Sequence, residues 1–110
     1  MSPEAVGFDA LRKLHADCAL MKEGGVPVVL LRDFAFRAGD ADQRMDLLLF
    51  PALHSGYMTR LFFERQVPGK GANWNRFRVA EREWLAPSWQ NVPETMAWPS
   101  MLCAHLRAVA

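Results

Sequence analysis

Two short apolar runs separated by a turn dominate the hydrophobic pattern of this chain. Leu47–Phe50 and Leu61–Phe63 each have the length of a buried strand. Pro51 lacks the N–H that a sheet ladder needs, so we expect the first strand to stop just before it. Ser55–Tyr57 has the composition of a reversing turn, because its central glycine tolerates a positive φ. The pattern therefore predicts two neighbouring strands joined by a loop with the tyrosine ring packed in it.

The N-terminal part predicts a helix and then a hairpin. Ser2-Pro3-Glu4 offers a capping hydroxyl, a proline suited to the first helical position and an acid in the first turn. Gly7 is expected to weaken this helix. Its apolar face is predicted to comprise Val6, Leu11 and Leu14. The next segment fits either a helix extension, His15–Lys22, or a first strand, Asp17–Lys22, and the paired glycines after it favour a strand that turns back into Val26–Leu31.

The remaining pattern adds short strands, an irregular segment and a closing helix. Phe34–Phe36 alternates and extends a strand or covers the core, Arg37–Arg44 has the composition of an exposed loop, and Phe77–Val79 alternates like a strand. Pro99–Val109 has helical spacing. Three tryptophans lie among prolines and predict an irregular segment whose rings cover the core, namely Trp84, Trp89 and Trp98. The predicted class is α+β, with an N-terminal helix, a four-strand antiparallel meander, the Trp-rich segment and a C-terminal helix.

Composition and charge exclude several classes of protein. A length of 110 residues with 51% hydrophobic content predicts one domain, residues 1–110, with a real core. The net charge of +1 gives no general reason to expect nucleic acid or an acidic membrane surface as partner. No apolar run approaches the roughly 20 residues that span a bilayer, and the first residues do not show a basic region followed by an apolar stretch, so we do not expect a secretory signal. Cys18 and Cys103 lie in apolar surroundings, so we expect free core thiols in a cytoplasmic protein.

The candidate chemistry in the residues alone is sparse. The histidines, His15, His54 and His105, have no second ligand at i+3 or i+4, so neither a metal nor another cofactor is expected. His54 and Ser55 are residue types that can form a base–nucleophile pair, but the side chains of adjacent residues seldom point toward the same position. Asn73-Trp74-Asn75 fits turn chemistry or an oxyanion-type amide donor. Ser88 fits a surface hydroxyl or a reactive one.

The order of these features resembles the ubiquitin-conjugating (E2) fold, and in particular the small prokaryotic E2-like proteins encoded beside E1-like, ubiquitin-like and JAB-peptidase partners. The segments that carry the resemblance are Leu47–Pro51, Gly56-Tyr57, Leu61–Phe63, Asn73–Asn75, Phe77–Val79, Trp84, Ser88–Gln90 and His105–Ala108. The resemblance implies a role in a bacterial ubiquitin-like conjugation pathway, in a defence operon, with a ubiquitin-like protein and an E1-like enzyme as partners. The residues that it implies for binding these partners are Tyr57, Asn73, Trp74, Arg78, Trp84 and Trp89.

One departure from the E2 pattern leaves the chemistry open. No cysteine lies between Trp74 and Trp89, and Arg78 or a neighbour occupies the position where the family carries its thiolate. A guanidinium cannot form a thioester. Either Ser88 carries the acyl group as an oxyester, with His54 as base and Asn75 or Asn73 as oxyanion donor, or the domain is a silent E2 variant that only positions its partner.

Two further alternatives stay open. Cys103 could fold toward the groove, although its helical spacing disfavours this. A small ligand-binding α+β domain is the alternative from another class of protein.

Overall fold

The computed structural model of the protein describes residues 2–110. Helix α1 (Pro3–Leu14) begins where the sequence predicts, because Ser2 Oγ accepts a hydrogen bond from Ala5 N at 3.2 Å. The predicted apolar face is wrong in part. Leu11 is fully buried, whereas Val6 and Leu14 are 53% and 57% exposed. The helix therefore contacts the core through a narrower face than its pattern indicates, and the buried Gly7 belongs to that face.

All neighbouring strands of the single sheet are antiparallel, and the sheet has six strands rather than the four predicted. The strands are β1 (Cys18–Glu23), β2 (Val26–Ala38), β3 (Ala41–Phe50), β4 (Arg60–Phe63), β5 (Asn75–Val79) and β6 (Arg82–Ala86), in the order β1-β2-β3-β4-β6-β5. The first four form the expected meander. The additional hairpin of β5 and β6 places Trp84 in a regular strand, so the predicted Trp-rich irregular segment begins only after Ala86.

The central prediction from the two apolar runs is confirmed. Strand β3 ends at Phe50, directly before Pro51, and β4 pairs with it so that Leu49 faces Leu61 and Phe50 faces Arg60. The hairpin of β1 and β2 is also confirmed, with β1 ending at the paired glycines.

The expectation of a loop over Arg37–Arg44 is wrong. Strands β2 and β3 continue to a two-residue turn at Gly39-Asp40, with Ala38 facing Ala41 across it. The polar residues Arg37 and Asp42 lie on the exposed face of this hairpin, where they form an ion pair of 3.1 Å, while Phe36 and Ala38 lie on its other face and pack in the first core. Polar composition marked one solvent-exposed face here rather than the absence of a strand, because an antiparallel hairpin can pack one face on the core and leave the other in water.

The sheet buries both of its faces, in two separate cores. The first core lies between the sheet and the helices and includes Leu11, Val29, Leu31, Leu47, Leu49, Leu61, Phe63, Met101, Leu102 and Val109. The second lies on the opposite face and includes Val28, Leu48, Phe50, Phe62, Val79, Trp84 and Ala86. Contacts between β2 and the β5–β6 hairpin in this second core require a strongly curled sheet. The curl brings the β1–β2 turn close to the β5–β6 turn. A hydrogen bond joins them, in which Ala80 N donates to Glu23 Oε1 at 2.9 Å.

The chain closes with helix α2 (Trp98–Leu106) and a single 3-10 turn, Arg107–Val109. Pro99 occupies the first turn, as the sequence predicts. Met101 and Leu102 face the core, and the Trp98 ring lies against Gly7 of α1. The expectation of two core thiols is wrong for Cys103, which is exposed on the outer side of α2, while Cys18 is half-buried; both thiols are free. Within residues 2–110 no helix has both the length and the apolar composition to cross a bilayer.

The interruption of strand β2 at Asp33 depends on the carboxylate of Asp46. Asp33 has a φ of 49° at the bulge between Leu31 and Phe34, and Asp46 Oδ1 accepts its N–H at 2.8 Å. Asp46 Oδ2 accepts from Arg82 at 2.8 Å. Burial raises the pKa of Asp46, but these two bonds outweigh it and hold that pKa below its usual value.

Replacing Asp46 by Ala should lower the free energy of unfolding by about 2 kcal/mol, because one strained backbone N–H and one guanidinium lose their acceptor. Urea denaturation followed by circular dichroism measures this. The control is Asp42→Ala, which removes a solvent-exposed ion pair and should cost less than about 0.5 kcal/mol. Equal effects of the two substitutions would contradict the assigned role of Asp46.

Candidate functional site

Two hydrogen bonds bring three distant segments together beside the start of strand β4. The phenol of Tyr57 donates to Ser88 Oγ at 3.0 Å, and Ser88 N donates to Ala72 O at 2.8 Å. Tyr57 lies in the loop before β4, Ala72 lies in the loop before β5, and Ser88 follows β6. We call the surface formed by Tyr57, Ala72–Asn75 and Ser88 the Tyr57–Ser88 corner. The corner contains five residues for which the sequence predicted a role, namely Tyr57, Asn73, Trp74, Asn75 and Ser88. Of these, Trp74 packs against the core.

A tight turn orients the tyrosine. His54 and Tyr57 exchange two backbone hydrogen bonds of 2.9 Å each across Ser55 and Gly56, which have φ values of 49° and 84°. Positive φ at both central positions is the geometry of a type I′ turn, and glycine at the second position accommodates it without strain. The predicted turn is therefore confirmed, and the bridge fixes the direction in which the Tyr57 ring leaves the backbone.

The Asn73-Trp74-Asn75 loop is held by its own polar groups and by the core. Asn73 adopts a φ of 53°, and the Asn75 side-chain amide donates to Asn73 O at 3.0 Å. The Trp74 indole donates to Lys70 O at 2.7 Å, and its ring packs edge-on against Phe63 with centroids 5.3 Å apart. One of the two N–H groups of the Asn75 side-chain amide is thus engaged in the turn. Of the two readings of this loop, turn chemistry accounts for the observed geometry.

Ser88 and His54 do not form a base–nucleophile pair. Ser88 Oγ accepts from Tyr57, and no hydrogen bond joins Ser88 to His54 among residues 2–110. The His54 ring instead lies edge-on to Phe50, Phe62 and Phe77, with centroids 5.0, 5.2 and 5.4 Å away. Its Nδ1 is buried and has no hydrogen-bond partner in the described part of the chain. Burial first, and then the Arg60 charge, lower the pKa of His54, so the imidazole is neutral near pH 7.

Beneath the corner lies a buried guanidinium that sequence reasoning missed. Arg60 opens strand β4 and is only 3% exposed. Its guanidinium lies over the rings of Tyr57 and Phe77, at 4.1 and 4.5 Å from their centroids. Burial lowers the pKa of Arg60, while the nearby Tyr57 raises it, and the group stays charged at any physiological pH. The signal was available, because Arg60 precedes Phe62 at the period of two that shares one face of a strand.

A second missed pair, Thr59 and His105, connects the loop before β4 to helix α2. The Thr59 hydroxyl donates to Val92 O at 2.7 Å and lies 2.8 Å from His105 Nε2. Because that hydroxyl has one proton, His105 must donate its Nε2–H to it. Burial, and then the Arg60 charge, lower the pKa of His105 to about 4. With Arg60, these residues are the buried polar side chains of the described chain, and all three lie at this end of the sheet.

The remaining residues assigned to partner binding differ in accessibility. Arg78 is exposed on β5, and its guanidinium donates only to Glu81 O at 3.3 Å. Trp89 is 36% exposed, with its indole N–H bonded to Ala104 O. Trp84 is 2% exposed and donates to Val79 O in the second core. The assignment of Trp84 to a binding surface is therefore wrong, because strand β6 turns its ring inward.

Neither cysteine lies at this site. Cys103 lines a shallow depression with Leu14 and Arg107 on the helix side of the molecule, and thus does not reach the corner. Among residues 2–110, no group of three or more His, Cys, Asp or Glu side chains could hold a metal ion.

The chain matches no protein-family model, no curated protein and no solved structure. Its site is thus described by geometry alone, as a hydrogen-bonded surface corner above a buried arginine and histidine.

Proposed function

We propose that this domain binds a ubiquitin-like protein without catalysing its transfer, as a silent E2 variant that presents the partner's extended C-terminal tail. The observation that supports the proposal best is the joining of Tyr57, Ser88 and the Ala72–Asn75 loop into one surface by two hydrogen bonds. These segments are the ones through which the sequence resembles the E2 fold.

The neighbouring sheet edge supports the binding of an extended tail. Strand β5 is the last strand in the sheet order, so its outer edge has no strand partner. An extended segment can pair with such an edge through main-chain hydrogen bonds, with side chains adding selectivity. Asn75 and Arg78 of β5 are exposed, and Asn75 is also part of the corner. A tail that pairs antiparallel to β5 would therefore end at Asn75, beside Ser88.

The chemistry of the corner favours presentation over transfer. Acyl transfer to Ser88 would need a base to take its proton, and the group that bonds to its oxygen is the Tyr57 hydroxyl, which donates. His54 is held among three phenylalanine rings, and the Asn75 amide is engaged by Asn73 O. No base and no unoccupied side-chain amide donor contacts Ser88 within the described chain.

Substitution of Arg78 by Ala should weaken binding of a ubiquitin-like protein from the same genome about five- to tenfold, as expected for loss of one interface arginine of about 1 kcal/mol. Isothermal titration calorimetry measures the affinity. The matched control is Arg37→Ala, which removes an exposed arginine from the β2–β3 hairpin, outside the corner, and should leave the affinity unchanged. Absence of binding to any ubiquitin-like protein of that genome would overturn the proposal.

Intact-mass measurement distinguishes presentation from the alternative function, which is oxyester transfer through Ser88. After incubation with the E1-like enzyme, ATP and the ubiquitin-like protein, we expect no covalent adduct on this chain. An adduct that hydroxylamine removes and that Ser88→Ala abolishes would establish the transferring function instead. Binding without an adduct is the result expected for presentation.

A further inference from the structure

The helix side of the protein carries a continuous apolar groove. Two neighbouring depressions form it, one along the first half of α1 and one at the end of α1, and both include Met96 and Pro99. We call their combined surface the α1–α2 groove. Its apolar lining includes Val6, Ala10, Leu14, Met96, Pro99 and Cys103. A contiguous apolar surface of this kind is typical of an interaction site.

Regular helical ridges form both walls of the groove. On α1 the ridge consists of every fourth residue from Val6 to Leu14, and on the opposite wall of every fourth residue from Pro99 to Arg107. A spacing of four places side chains on one face of a helix, and the space between two such ridges accepts a ridge of another helix. Val6 and Leu14 are 53% and 57% exposed, although the apolar pattern of α1 predicts that they are buried. A helix docked in the groove would bury them.

The groove has opposite charges at its two ends. Glu94 lines only the first depression and Arg107 only the second, and no other charged residue lines either one. Both side chains are exposed, and neither forms an ion pair within residues 2–110. An apolar strip with a free acid at one end and a free base at the other complements a copy of itself across a two-fold axis, because such an interface brings the same patch of both subunits together.

We propose that the α1–α2 groove is the interface of a homodimer, in which a second copy of this chain docks across a two-fold axis. The axis passes near Met96 and Pro99, which belong to both depressions. Glu94 of each copy then faces Arg107 of the other, and the α1 ridge of each copy packs into the groove of the other. Burial of these apolar ridges gives the interface the apolar centre that is usual for homodimers.

The dimer goes beyond the proposed binding of a ubiquitin-like protein and does not depend on it. None of the residues that line the groove belongs to the Tyr57–Ser88 corner, so dimerisation leaves the corner open. A dimer therefore presents two such corners, and self-association can be measured without any partner protein.

Charge reversal at the two ends of the groove tests the proposal. In sedimentation velocity from about 1 to about 200 μM, the unsubstituted protein should change from the 12.5 kDa monomer to a species of twice that mass. Glu94→Arg and Arg107→Glu should each weaken self-association about tenfold or more, because like charges then face each other at both ends of the interface. The control Asp40→Arg reverses an exposed acid at the turn of the β2–β3 hairpin and should dimerise like the unsubstituted protein.

A mixture of the two groove variants gives the decisive result. Each variant supplies the charge that the other has lost, so Glu94→Arg and Arg107→Glu should form a heterodimer although neither forms a homodimer. Circular dichroism should show the native fold in both, as expected for substitutions of exposed side chains. A protein that stays monomeric over the whole concentration range would overturn the proposal. A dimer that resists both reversals, or variants that do not associate when mixed, would also overturn it.

Discussion

Replacing Gly7 by Ala should destabilise the protein by about 1–3 kcal/mol and lower its Tm by about 5–10 °C. Helix propensity alone predicts the opposite sign, since Ala in a helix interior is about 1 kcal/mol better than Gly. The contact between the helices decides the outcome. A Cβ at position 7 would lie 2.3 Å from Cδ2 of the Trp98 indole and under 3 Å from two further ring atoms. The ring is rigid and begins helix α2, so the two helices must separate.

A double-mutant cycle isolates this contact. In a Trp98→Leu background the ring is absent, so Gly7→Ala should regain its propensity advantage and stabilise the variant. Chemical denaturation of the four proteins gives the coupling free energy, which should exceed about 1 kcal/mol. Stabilisation by Gly7→Ala in the presence of Trp98 would show that α1 and α2 do not approach as closely as described.

Gly7 illustrates which parts of the fold local sequence could predict. Caps, turns and apolar runs act over a few residues, and they correctly placed the start of α1, the turn after β1 and the end of β3 at Phe50. The identity of the face that α1 buries depends on what α2 brings against it. A glycine that seems only to weaken a helix is required there by Trp98, a residue 91 positions away in the chain.

The largest error in the predicted fold is that the β5–β6 hairpin was not recognised as part of the sheet. The polar residues around Phe77 indicated at most a short isolated strand, because alternation along β5 covers only one face. Strand β6 pairs with β4 through Phe63 and Leu85, so its place in the sheet depends on a contact across 22 residues of sequence. Sequence patterns predict that a strand exists more readily than they predict its neighbour.

The sequence predicted the surface residues of the candidate site but not its buried residues. Tyr57, Asn73, Asn75 and Ser88 occur in turn-forming or proline-flanked segments, which drew attention to them, and hydrogen bonds do bring them together. Arg60 and His105 each look like a polar interruption of an apolar stretch. The period of two that Arg60 shares with Phe62 was a local signal for its inward face, whereas the burial of His105 depends on the meeting of β4, α2 and the segment after β6, which no local pattern encodes.

The neutral state of the buried His105 makes folding sensitive to mild acid. Its imidazole is 4% exposed and donates to Thr59, so a second proton would place a charge beside Arg60 in a site without a carboxylate. Burial and that charge lower its pKa from 6.5 to about 4. The unfolded chain therefore binds a proton at a higher pH than the folded protein does, and by linkage stability rises with pH between these two values.

Lowering the pH from about 6.5 to about 4 should therefore cost about 3 kcal/mol of unfolding free energy through His105, since each tenfold change in proton affinity is worth about 1.4 kcal/mol. His54, whose pKa is also lowered by burial, adds to the loss in the same direction, whereas Asp46 contributes only below its usual value of 3.8. Urea denaturation at half-unit pH steps measures the slope. His105→Gln should flatten it while His15→Gln, altering a histidine outside the site, should not. A slope unchanged in His105→Gln would mean that the pKa of His105 is the same in the folded and the unfolded protein, and that the surroundings of Arg60 tolerate a second positive charge.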